Sequence, residues 1–271
     1  MKNILFWEGI ETDQTRDELK ATNTPHLIPF LQEDGSNFSC VIVVPGGGYG
    51  GMSLQECEPV AGWLNGLGIS AFVLNYTVAP TKHPKPYHDV RRAIQWARAH
   101  AAEYNLDPAR IGVLGFSAGG HLAGSAAVMW EDVSLAIGDA LDSVSARPDL
   151  AVLCYPVITA DKTVCHEGSI ANLTGQENAS AEERGAVSLE RRVTKNTPPI
   201  FIWHTADDAL VPVENAYLMA QALGRSNVEY EFHVFPEGNH GLGLCSVDFR
   251  RNAYVAQWKN LCEQWLYRQG F

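Results

Sequence analysis

Gly115-Phe116-Ser117-Ala118-Gly119 sets a serine between glycines two positions away on either side. The apolar run Ile111-Gly112-Val113-Leu114 precedes it, and a helix-forming run over 120–127 follows. Strand, tight turn and helix in that order make the context of a nucleophile elbow, in which the hydroxyl stands above the sheet edge. The helix N-terminus behind it favours developing negative charge. Serine is a weak nucleophile that needs a base, and the base needs an orienting group. Two later loops offer both. His204-Thr205-Ala206-Asp207-Asp208 leaves one apolar run, and Pro236-Glu237-Gly238-Asn239-His240-Gly241 leaves another. A histidine between glycines is free to reach across a sheet's end, and either Asp207 or Asp208 is placed to hold its ring. Serine, acid and histidine then follow in the chain order of an elbow-type hydrolase.

A fourth part is Pro45-Gly46-Gly47-Gly48-Tyr49-Gly50-Gly51. Consecutive glycines leave backbone N–H groups unshielded, so two of them can face a carbonyl oxygen that becomes an oxyanion. The run lacks the Lys-Ser/Thr ending of a P-loop and the spaced glycines of a dinucleotide fingerprint, which disfavours a phosphate cradle.

The elements that must position these residues alternate along the chain. Runs at 38–44, 69–75, 110–114, 150–155, 200–204 and 228–235 read as strands, several continuously apolar as expected of strands buried on both faces. Helices are expected near 58–67, 88–104, 117–130, 213–223 and 249–268. The alternation predicts an α/β fold, with a mostly parallel sheet and helices on both faces. Residues 26–31 are expected to add an antiparallel edge strand. Residues 156–199 break the rhythm, being polar and ending in Thr197-Pro198-Pro199. A single domain over 1–271 is expected, with a small cap-like insertion at about 157–198.

Composition excludes other classes. A formal charge of −11 over 271 residues argues against nucleic acid as partner. Only four apolar residues, 4–7, stand near the start, too few for a signal peptide core, and no run approaches a membrane span. A cytoplasmic protein without membrane association is expected. Six cysteines, at 40, 57, 154, 165, 245 and 262, show no C-x-x-C spacing and read as small buried hydrophobes rather than disulfides or zinc ligands. No metal site and no cofactor are expected. Glycosidase chemistry would need two carboxylates facing one bond, and the sequence marks no such pair.

Other polar residues have bland readings. His121 and His204 are expected to make structural hydrogen bonds near the site, and His83 and His88 to anchor a proline-rich loop. Glu56 reads as a solvated carboxylate. Tyr254, Trp258, Leu261 and Trp265 fall at helical spacing and read as a core-facing stripe.

Taken together, residues 45–51, Leu74-Asn75-Tyr76, His83-Pro84, Asp107 to Ile111, Gly115 to Leu122, Asp208 to Pro212 and Gly238 to Gly241 resemble the α/β-hydrolase superfamily. They are most similar to the small esterases grouped with acetyl-xylan esterases and bacteroidetes-type feruloyl esterases. The related lipase branch begins its glycine loop with histidine, whereas Pro45 stands here, which favours the carbohydrate-esterase side. The resemblance places the acid four residues before the proline of an Asp-x-x-Val-Pro motif, which is Asp208. Asp207 is then expected to face solvent or cap the turn.

The implied mechanism is acyl transfer. Ser117 attacks an ester, His240 takes its proton, and Asp208 holds the imidazole. The amides of Ala118 and of Gly47 or Gly48 bind the oxyanion, and Tyr49 is expected to line the acyl side of the pocket. The substrate expected is a small-molecule ester with a small acyl group, such as an acetylated sugar. Feruloyl-type or general carboxylesterase action is the enzyme alternative. A non-catalytic ligand receptor on the same fold is the alternative from another class, and it is disfavoured because all three triad members are present.

Overall fold

The computed structural model describes residues 2–33, 35, 37–246 and 251–271. Its nine-stranded sheet is built from β1 (Asn3–Leu5), β2 (Ile10–Thr12), β3 (His26–Phe30), β4 (Phe38–Val44), β5 (Ser70–Asn75), β6 (Leu106–Phe116), β7 (Ala151–Cys154), β8 (Ile200–Thr205) and β9 (Tyr230–Phe235). The spatial order is β2-β1-β3-β5-β4-β6-β7-β8-β9. From β5 through β9 every neighbouring pair is parallel, while β3 runs antiparallel to β5. This is the mostly parallel α/β sheet that the alternating apolar runs predict, in keeping with the α/β-hydrolase fold that the resemblance implies.

Burial explains the register. In β4, Cys40 to Val44 are fully buried, because helices cover both faces of the sheet. Each buried Val or Ile contributes roughly 1.5–3 kcal/mol, so a slip that moved them would be opposed strongly. At the far edge, β9 is exposed or half-buried until Phe235, with Glu231 and His233 hydrogen-bonded two residues apart. Charged residues on an edge strand discourage pairing with another chain.

The helices are α1 (Arg16–Ala21), α2 (Glu58–Gly66), α3 (Lys85–Ala99), α4 (Ser117–Val128), α5 (Glu167–Thr174), α6 (Ala181–Ala186), α7 (Glu214–Arg225) and α8 (Trp258–Arg268). Several differ from expectation. The helix expected at 88–104 starts at Lys85, because Pro86 sits in its first turn, where no backbone N–H is needed. His88 therefore lies inside α3, not in a loop. The strand expected at 110–114 begins at Leu106; Pro108 lies where the pairing with β4 shifts register, between Phe38 and Cys40. The segment 26–31 forms β3, which is not an edge, since the short hairpin β1–β2 adds beyond it. The last helix begins at Trp258, and residues 249 and 250 of the expected range lie outside the described residues. Within its stripe Trp258 and Trp265 are buried, whereas Tyr254 precedes the helix and is exposed.

Residues 157–198 carry α5 and α6 and return to the sheet at β8. Asn215 of α7 pins the start of this segment, its Oδ1 accepting the amides of Ile158 and Thr159. All six cysteines are free; five are buried and Cys165 is half-buried. No described helix is long and apolar enough to cross a membrane.

Candidate active site

Four chain segments leave the C-terminal ends of parallel strands and meet there. The glycine loop follows β4, Ser117 follows β6, the two aspartates follow β8, and His240 follows β9. Sheet topology of this kind brings those ends to one crevice.

Ser117 has φ of +53°, a left-handed conformation unusual for a side-chain-bearing residue. The turn survives because the neighbouring main chains come very close. A Cβ on Gly119 would lie 2.2 Å from the carbonyl oxygen of Val44 and 2.4 Å from that of Pro45. The start of α4 is thus pressed against the end of β4, and only glycine fits.

His240 Nε2 lies 2.8 Å from Ser117 Oγ, and His240 Nδ1 lies 2.6 Å from Asp208 Oδ2. An ionised carboxylate can only accept, so Nδ1 carries the proton and Nε2 accepts from the serine hydroxyl. Asp208 is buried, and its Oδ1 accepts the amides of Leu210 and Val211 at 3.0 and 2.9 Å. His204 Nε2 stands 3.3 Å from Oδ2 and donates to the Val211 carbonyl. Burial alone would raise the Asp208 carboxyl. The hydrogen bonds from His204, His240 and the backbone outweigh it and hold the group well below the usual carboxylate range. Its neighbour points elsewhere: exposed Asp207 accepts the amides of Gly238 and Asn239, at 2.8 and 3.0 Å, and so caps the loop that carries His240.

The glycine loop is held from several sides. Tyr76 donates its hydroxyl to Pro45 O, Ser53 N–H to Gly46 O, and Gly50 and Gly51 N–H to Gly47 O. Gly47 has φ of +134°, and a Cβ there would meet Gly51 O at 2.2 Å. The Gly46 amide is taken by the Glu56 carboxylate at 2.8 Å. The amides of Gly47 and Gly48 make no hydrogen bond among the described residues. Ala118, in the first turn of α4, has an amide that helix geometry leaves without an intrahelical acceptor.

Tyr49 is buried, and its hydroxyl lies 2.8 Å from His121 Nδ1. His121 Nε2 lies 2.8 Å from the Val187 carbonyl, which can only accept, so Nε2 carries the proton and Tyr49 donates to Nδ1. Burial lowers the His121 pKa to about 4, against the opposing bond to Val187, and the ring is neutral at pH 7.

The solvated reading of Glu56 is wrong. The side chain is 2% exposed because the turn after the glycine loop folds it beneath that loop. Its Oε1 accepts the hydroxyl of Tyr155, and nothing in its local sequence signalled this. Three further neighbours also escaped the residue patterns. Asn172 of α5 donates to Gly48 O at 2.8 Å. The half-buried His166 shares a 2.7 Å hydrogen bond with Ser169 and lies against Gly48, where a Cβ would come within 4.0 Å of its Cε1. Burial first, and then the nearby His240, lower its pKa. Tyr155 packs its ring against His240, centroids 5.0 Å apart. Among the described residues no cluster of metal-ligating side chains occurs.

Comparison with known proteins identifies the family. The BD-FAE family model matches residues 28–223. The chain belongs to the BD-FAE family. It is 41% identical over 229 residues to "Endo-1,4-beta-xylanase B" of Butyrivibrio fibrisolvens, covering 83% of this chain and 36% of that protein. It is 33% identical over 222 residues to the "Acetylxylan esterase" of Xylanibacter ruminicola, covering 80% of this chain and 44% of that one. The chain thus spans about two-fifths of the length of these curated relatives. A solved structure, the acetyl ester-xyloside bifunctional hydrolase from Caldicellulosiruptor lactoaceticus, superposes with a TM-score of 0.88 at 44% identity, covering 99% of this chain and 96% of that one.

Proposed function

We propose that this chain is a serine-dependent carboxylic ester hydrolase that removes small acyl groups, such as acetyl, from carbohydrate substrates. The observation that carries the reading is the unbroken hydrogen-bond line from Asp208 through His240 to Ser117, beside a glycine loop whose Gly47 and Gly48 amides make no hydrogen bond among the described residues. In the first step His240 Nε2 takes the hydroxyl proton as Ser117 Oγ bonds to the ester carbon. Asp208 stabilises the imidazolium that results. Charge builds on the carbonyl oxygen, where the amides of Ala118 and of Gly47 or Gly48 receive it; losing one such donor costs ~3 kcal/mol. The imidazolium then protonates the departing alcohol. Water, deprotonated by the same ring, cleaves the acyl-enzyme and restores Ser117.

The preference for acetylated sugars is supported by the names of the relatives and by the Pro45 start of the glycine loop. Tyr49 is assigned to the inner wall on the acyl side, behind the loop it belongs to. The test is a panel of p-nitrophenyl acetate, a longer acyl ester, a feruloyl ester and acetylated xylo-oligosaccharides, assayed with wild type and Ser117→Ala. We expect cleavage of the acetyl esters by wild type and a loss of more than about 10³-fold in the variant. An unchanged rate in Ser117→Ala would end the mechanism, and a preference for long acyl chains would end the acetyl assignment.

A further inference from the structure

Glu56 and Tyr155 lie outside the hydrogen-bonded line just described, yet they touch both of its sides. Glu56 Oε2 accepts the Gly46 amide at 2.8 Å, and Oε1 accepts the Tyr155 hydroxyl at 2.7 Å. The oxygen of that hydroxyl in turn accepts the Gly243 amide at 2.8 Å. Gly243 is also held by Trp258, whose indole N–H donates to its carbonyl at 3.2 Å. Burial, and then the adjacent Glu56, raise the Tyr155 pKa well above that of an ordinary phenol, so the hydroxyl keeps its proton and donates. The direction of the whole line follows: Gly243 N–H to Tyr155 O–H to the Glu56 carboxylate, which also receives Gly46 N–H. One end is the first glycine of the oxyanion-side loop, and the other lies three residues past His240.

Position adds to connectivity. A Cβ on Gly46 would lie 2.8 Å from Glu56 Oε2 and 3.0 Å from Ser117 Cβ, so the carboxylate and the serine flank the same glycine. The Tyr155 ring meets the imidazole of His240 edge to face, at 71°. Burying a carboxylate costs several kcal/mol unless donors surround it. Such a group is therefore a poor choice for mere packing and a good one for fixing amide directions.

We propose that Glu56 and Tyr155 are positioning residues that lock the oxyanion-side loop and the histidine-bearing loop into one mutual geometry. The proposal rests on the acyl-transfer reading of Ser117, His240 and the glycine loop. Glu56 fixes the Gly46 peptide, which leaves the next two amides for the oxyanion. Tyr155 fixes the end of the histidine loop and the face on which the imidazole rests.

The test is Tyr155→Phe and Glu56→Gln, alone and together, with p-nitrophenyl acetate as substrate. Active sites are first titrated with a p-nitrophenyl organophosphonate, which counts competent serines. We expect nearly full titration of Tyr155→Phe, with kcat per titrated site down about tenfold and KM within about twofold. Because both residues serve one bridge, the double variant should lose little more than the worse single one. Unchanged kcat per titrated site would overturn the proposal, since the residues would then only maintain the folded fraction; additive losses would also overturn it. If Tyr155→Phe fails to fold, Glu56→Gln carries the same measurement. Wild type that the phosphonate does not label would bring down the acyl-transfer reading itself. Labelled wild type with full-rate variants would bring down the bridge alone.

Discussion

The two loops that flank Ser117 are held in contrasting ways. The glycine loop is fastened from several directions, by buried Tyr76 on Pro45, Glu56 on Gly46 and Tyr49 on His121, and by half-buried Asn172 on Gly48. The histidine loop is held by buried groups at its far end, where Tyr155 and Trp258 bind Gly243, and nearer the surface before it. Asp207 caps Gly238 and Asn239, the Thr205 hydroxyl donates to Asn239 O, and Gln55 donates to Gly241 O. In the proposed mechanism the glycine loop offers fixed dipoles, and anchoring of this kind is what preorganised electrostatic stabilisation requires. In the same proposal the histidine loop shuttles a proton, and part of its support, at Asp207, is one that water can reach.

The sharpest probe of this contrast is Asp208→Asn. An amide at 208 offers His240 a donor in place of an acceptor and favours the wrong tautomer. We expect kcat for p-nitrophenyl acetate to fall by about 10⁴-fold with the fold intact. A loss no greater than that of an Asp207 variant would reverse the assignment of the acid.

Next is a probe of the buried side. The His121 pKa lies near 4 in the folded chain, below its value of about 6.5 when unfolded. Between those values the unfolded chain binds the extra proton, so stability falls as pH drops from about 6.5 and the contribution is gone near pH 4. The loss is of order 3 kcal/mol. Urea unfolding of wild type and His121→Gln should therefore show a wild-type advantage at pH 7 that shrinks by that order at pH 4. A constant difference across the window would mean that the ring is not held neutral.

The smallest effect is expected at Asp207→Ala. Two exposed amides would turn to water, and kcat should fall by less than about tenfold. A loss approaching that of Asp208→Asn would show that the histidine loop is as finely set as the glycine loop, and the contrast would fail.

What the sequence made legible follows the same division. Ser117, His240 and the glycine loop were readable because glycines at fixed offsets announce backbone turns, and turns are local. The strands were readable because burial on both faces leaves continuous apolar runs. Asp207 and Asp208 stood undivided by residue type, since adjacent carboxylates on one turn differ only in the direction each side chain takes. Glu56 was misread, because nothing in Leu54-Gln55-Glu56-Cys57-Glu58 tells a buried carboxylate from a solvated one. His166 and Asn172 went unnoticed for a related reason: their contact with Gly48 joins residues more than a hundred positions apart. The strands of the N-terminal hairpin are three residues each, too short to show a period.

The contact at Gly119 has a consequence for how such a molecule can diversify. There the peptide carbonyls of Val44 and Pro45 meet the first turn of α4 with no side chain between them. In the proposed mechanism the span between the Ser117 oxygen and the receiving amides is consequently set largely by main-chain dimensions. Exchanges along the rim, in α5 or around His166, can remodel what the crevice admits while that span keeps its width.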